Sequence, residues 1–146
     1  MLLFSVPQAF AEERLFETKG PITITSVSLT ADNKTHTARF EGSVIAKTET
    51  MVLYADAMLV HYTEDGRVTK IEANGHIKLM KGERVITSDT AIYLAEEEKV
   101  IFTGQPKAVE GANMITGTKM IYLLKEDRSL VEDSKVFIEK GSSKKQ

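Results

Sequence analysis

Cysteine and tryptophan are both absent from the 146 residues. Without cysteine there can be no disulfide, thiolate metal site or cysteine nucleophile. No apolar run approaches the ~20 residues a helix needs to cross a bilayer. Charge of one sign is also lacking. The 19 basic and 21 acidic residues leave a net charge of −2, and Lys and Arg are scattered, which argues against a nucleic-acid partner. The pair Lys144-Lys145 is too short to anchor to a membrane alone. Histidine occurs only at His36, His61 and His76, at spacings that place no two on one element in the manner of a metal site. No Gly-x-Ser-x-Gly elbow and no Gly-x-x-x-x-Gly-Lys phosphate loop occurs. The chain is close to silent as an enzyme, and no catalytic residue, metal or cofactor is expected.

What is present suits one domain. Hydrophobic residues make up 42% and charged residues 27%, ordinary for a globular protein with a sizeable core. Residues 1–11 read as the remnant of a secretory signal: an apolar stretch Leu2 to Val6, a break at Pro7, and Ala9-Phe10-Ala11 as a small-x-small cleavage site before Glu12. A bacterial periplasm suits an exported chain without cysteine. Residues 12–140 then form the domain, and 141–146 (GSSKKQ) a disordered tail.

The domain is repetitive, with a period of about thirty residues. Phe40-Glu41-Gly42-Ser43-Val44 aligns with Ala73-Asn74-Gly75-His76-Ile77 and with Phe102-Thr103-Gly104-Gln105-Pro106, so the glycines fall 33 and 29 residues apart. A second anchor, Leu53-Tyr54-Ala55-Asp56, aligns with Ile86-Thr87-Ser88-Asp89 and Ile115-Thr116-Gly117-Thr118. Polar turns separate β-branched, alternating runs, the signature of an all-β protein. The run from Val100 to Ala108 should break at Gly104 and resume. The first strand is expected over Ile22 to Leu29 and the last over Val136 to Glu139. Inward positions are odd through Leu53 and Ala55 but even from Met58, so a bulge or corner is expected at Asp56, with companions at Gly42, Gly75 and Gly104.

Asp56 and Asp89 are repeat-equivalent carboxylates. The third unit has Thr118 there, which favours a structural acceptor at a strand corner over acid/base chemistry. Asn33-Lys34-Thr35 fits a glycosylation sequon, but such triplets are common by chance and this one reads as a turn.

Three segments, in this order, carry a family resemblance. Pro21-Ile22-Thr23-Ile24-Thr25-Ser26 resembles an opening Pro-Ile-x-Ile-x-Ser strand. Phe40-Glu41-Gly42-Ser43-Val44 with Ala55-Asp56 resembles a Phe-x-Gly-Asn-Val and Ala-Asp signature. Ile115 to Glu126 resembles a closing Lys-Gly-Asp-Lys-Ile-x-Tyr segment. On these, the chain is similar to the OstA-like family of periplasmic lipopolysaccharide-transport proteins. Ser43 and Thr118 depart from the family's usual Asn and Asp.

The resemblance implies an open, twisted antiparallel β-jelly roll. Its apolar interior would shield the acyl chains of lipopolysaccharide, and the inward set would line their path: Ile22, Ile24, Phe40, Val44, Leu53, Met58, Val60, Tyr62, Ile77, Leu79, Tyr93, Phe102, Tyr122 and Leu124. It further implies head-to-tail self-association and terminal-strand contacts to an inner-membrane complex (LptC-like) and an outer-membrane translocon (LptD-like). At about 0.8 kcal/mol per buried methylene, a dozen-carbon chain gains on the order of 10 kcal/mol on leaving water, so a transfer protein needs a continuous apolar path without a deep trap. A structural or adhesive β-repeat with a closed core, and an exported hydrolase, are the alternatives.

Overall fold

The computed structural model describes residues 23–139; Ile22, the signal-like stretch 1–11 and the tail 141–146 lie outside them. Twelve strands follow in order: β1 (Thr23–Thr25), β2 (Ser28–Asp32), β3 (Thr37–Lys47), β4 (Met51–Tyr62), β5 (Val68–Lys81), β6 (Arg84–Leu94), β7 (Lys99–Thr103), β8 (Lys107–Glu110), β9 (Asn113–Thr116), β10 (Lys119–Leu123), β11 (Arg128–Glu132) and β12 (Lys135–Phe137). All pair antiparallel, each pass beside the one before it. The twelve strands are in effect eight passes of the chain. The first pass is β1 then β2, the sixth β7 then β8, the seventh β9 then β10, and the last β11 then β12.

Every pass is interrupted at the same level. The register slips between Glu41 and Val44 against β4, between Tyr54 and Ala57 against β5, and between Asn74 and Ile77 against β6. At each slip an even-numbered pass contributes two residues with positive φ: Gly42 (88°) and Ser43 (46°), Gly75 (85°) and His76 (50°), Gly104 (84°) and Gln105 (53°). The neighbouring pass contributes one residue, Val27, Asp56, Asp89 or Thr118. A two-against-one bulge bends a strand and sharpens its twist. A row of them therefore folds the sheet along one line into two facing wings. The β1 wing holds β1, β8, β9, β12 and the adjoining ends of β3 to β6. The β2 wing holds β2, β7, β10, β11 and the other ends.

Glycine is required on the two-residue side. A Cβ on Gly75 would stand 2.3 Å from an Asp56 carboxylate oxygen, and one on Gly104 2.4 Å from the Asp89 Cβ. The inward parity changes where Asp56 suggested it would, from Ala55 to Met58 in β4. It changes again from Ser88 to Ala91 in β6 and from Ile115 to Met120 across β9 and β10.

Two expectations need correction. The first strand is split at Ser26-Val27, because Val27 occupies the corner level and its N–H reaches the Glu41 and Gly42 carbonyls at 3.1 and 2.9 Å. The last strand is Lys135–Phe137, one residue earlier in start and two shorter at its end than expected.

Candidate functional site

The wings enclose an apolar interior whose two parts differ. Between the first six passes it is packed nearly solid. Ala38, Phe40, Val44, Met58, Val60, Ile71 and Ile77 are buried, and a cavity among the described residues there, about 40 Å³, is little more than one water's share of the liquid. That cavity is walled by Ala46, Met51, Leu53 and Leu79 from the β1 wing and by Ile71, Tyr93, Val100, Phe102 and Leu124 from the β2 wing. Beyond Phe102, toward the C-terminal passes, the wings part around a groove of about 510 Å³, a volume typical of ligand pockets. Ile86, Ala108, Ile115, Val136 and Ile138 form one wall, and Phe102, Met120, Tyr122 and Val131 the other.

The residues expected inside fall into groups. Phe40, Val44, Met58, Val60, Ile77, Leu79, Tyr93, Phe102 and Tyr122 are buried. Ile24, Leu53, Tyr62 and Leu124 are partly buried against that core. Tyr62 lies at the far end of β4, its hydroxyl donating to the Asn33 side chain at 3.3 Å in the β2–β3 turn. Leu53, Leu79, Tyr93, Phe102 and Leu124 meet around the small cavity, and of the described members of the set only Phe102 and Tyr122 reach the groove. Sequence reasoning missed the rest of the groove wall, although the repeat alignment held a signal: Ile86 and Ile115 are the first residues of the second anchor.

Charge is confined to the rim. Arg84 and Glu110, paired across β6 and β8 at 3.4 Å, and Asp127 border the groove. Lys81 donates to the Tyr122 hydroxyl at 3.1 Å, and that hydroxyl donates to Asp127 at 2.6 Å. The Asp127 carboxyl is held below its usual pKa, first by the Tyr122 hydrogen bond and then by the Lys81 charge.

The carboxylates weighed as an acid/base pair sit at the corners, away from the interior. Asp56 accepts a hydrogen bond from the His76 ring at 2.8 Å. That bond, then the Asp56 charge, raises the His76 pKa above 6.5. With a raised pKa, any stabilisation from the pair is present below pH 6.5 and fades as the pH rises through the folded-state value. Asp56→Asn is expected to bring the His76 titration down toward 6.5 when followed by NMR; an unchanged midpoint would remove Asp56 as the cause. His61 hydrogen-bonds Glu72 at 2.7 Å on the sheet surface, and among the described residues no group of three or more His, Asp or Glu could hold a metal ion.

A family model described as LptA/(LptD N-terminal domain) LPS transport protein matches residues 23–128. No curated protein matches the chain. Among solved structures, the fold is similar to the crystal structure of LptH, the LptA-homologous periplasmic component of the lipopolysaccharide transport device of Pseudomonas aeruginosa. The TM-score is 0.72 at 15% identity, over 82% of this chain and 95% of that one.

Proposed function

The chain belongs to the LptA/LptD N-terminal-domain family of lipopolysaccharide transport proteins, and from that premise we propose that it is a non-enzymatic periplasmic bridge of the LptA kind. In this reading it shields the acyl chains of lipopolysaccharide between its wings and hands the lipid from the inner-membrane side to the outer. The observation that carries the reading is the apolar groove of about 510 Å³ that opens at the C-terminal end of an otherwise solid interior. Acyl chains need such a surface and no chemistry. The tightly packed first six passes favour the alternative of an adhesive repeat with a closed core; the groove counts against it. The inward set remains the proposed path, with Ile86, Ile115 and Val131 added and the wings parting further where the core is now closed.

A titration of the purified protein with lipopolysaccharide tests this. Saturable binding that Ile115→Asp abolishes, with the protein still folded, is the expected result; no binding by the wild type would end the proposal.

The ends support stacking. The exposed large hydrophobic residues are concentrated on the first and last passes: Val27 (81%), Leu29, Leu130, Val136, Phe137 and Ile138 (65%). Among the described residues each of these passes is paired on one side only, β1 and β2 with β3, β11 with β10, and β12 with β9. Unpaired strand edges are templates for another chain, and a first edge meeting a last edge propagates instead of closing. Head-to-tail contacts to further copies, to an LptC-like component and to an LptD-like translocon would use these edges. Light scattering should show mass growing with concentration, and deletion of the residues after Glu132 should suppress that growth. A sharp dimer at all concentrations would contradict it.

A further inference from the structure

The two wings are hinged along the bulge row, so their lips lie at the hairpin tips on the opposite side. Lys81 is the last residue of β5, at a tip of the β1 wing, and Asp127 sits in the turn after β10, at a tip of the β2 wing. β5 pairs with β4 and β6, whereas β10 pairs with β7 and β11, so no sheet ladder connects them. The hydrogen bond from Lys81 to Tyr122 therefore crosses the opening between the wings. It joins residues 41 positions apart, and the Tyr122 hydroxyl passes the link on to Asp127.

The link is built to hold. The Tyr122 ring is buried at 3% exposure, which fixes the hydroxyl in place. The Lys81 ammonium lies 5.7 Å from that ring's centroid, within cation–π range. Each hydrogen bond has a charged partner, and such bonds are stronger than neutral ones. Arg84, on the same tip as Lys81, is ion-paired with Glu110 of its own wing, and it acts on Asp127 through its charge, after the Tyr122 hydrogen bond and the Lys81 charge. A contact at the lips also acts at the greatest distance from the hinge, where a small energy best resists separation.

We propose that Lys81, Tyr122 and Asp127 form a tie across the lateral mouth of the groove, closing the side route to acyl chains and leaving the groove's open end as their path. This rests on the reading that the groove carries acyl chains. Breaking the tie frees the wings to part sideways, and a bound chain then leaves through the mouth as well as along the groove.

The test uses the full chain with spin labels on cysteines at Glu83 and Glu126, exposed positions on opposite lips in a protein with no cysteine of its own. Lys81→Met keeps the apolar stem over the ring, and Tyr122→Phe removes only the hydroxyl. Both should broaden and lengthen the label-to-label distances. Lys99→Met, which breaks an ion pair with Glu97 inside one hairpin, should not. Release of dansyl-undecanoic acid, chased with excess dodecyl maltoside in a stopped-flow instrument, should be about tenfold faster in both tie variants, the loss expected for one hydrogen bond to a charged group. Unchanged distances in the tie variants, or distances that widen without faster release, would overturn the tie. Failure of the wild type to bind the acyl probe would instead sink the groove reading, while the label distances would still decide whether the lips are tied.

Discussion

Gly104→Val is expected to lower stability by about 3 kcal/mol or more, with the thermal midpoint falling by about 10 °C. Two effects act together. The backbone at Gly104 has φ +84°, where a β-branched residue is strained by roughly 1–2 kcal/mol. Its Cβ would also stand 2.4 Å from the Asp89 Cβ and 2.7 Å from a carboxylate oxygen, an overpacking that costs typically 1–3 kcal/mol. Gly82→Ala is the control, with positive φ but nothing within 4 Å of the added carbon. It should lose only the backbone part. Equal losses in a urea titration of the two variants would mean that the close approach at the corner carries no weight.

The second large effect is at Phe102, which has 0% exposure and walls both the small cavity and the C-terminal groove. It is the partition between the solid and the open parts of the interior. Phe102→Ala should cost about 3–5 kcal/mol, the range for truncating a buried aromatic side chain. It should also join the two spaces into one deeper apolar recess with more surface for an apolar ligand. The variant is therefore expected to unfold at lower urea while keeping or strengthening its uptake of an acyl probe. A loss below about 1 kcal/mol would show that Phe102 is not the partition, and weaker uptake by folded protein would show that the two spaces do not join.

These two sites also show how much could be read in advance. Gly104 announced itself, because a glycine inside an alternating run has few reasons to be there except a bend or a close approach. Asp56 did so through parity: Ala55 and Met58 cannot both face inward on an unbroken strand. Asp89 and Thr118 followed by alignment. Val27, at the same level of the first pass, was invisible, since valine looks like an ordinary strand residue and only its position against Gly42 marks the corner. Phe102 was legible as inward but not as a partition. Alternation says which face a residue occupies; it does not say how far apart two faces stand. The groove beyond Phe102 and the contact from Lys81 to Tyr122 depend on that separation, and the stretch of chain between the latter pair, 41 positions apart, carries no local pattern that records it.

The central claim is that the space between the wings receives lipid. The most direct measurement places a photo-crosslinking amino acid at one inward or one outward position at a time, in cells that make lipopolysaccharide. Ile24, Leu53 and Ile115 face the interior, and Thr23, Ile45 and Ile92 the outer surface. The account predicts lipopolysaccharide adducts from the first three positions and none from the last three. Equal labelling of both sets, or labelling of neither, would contradict it.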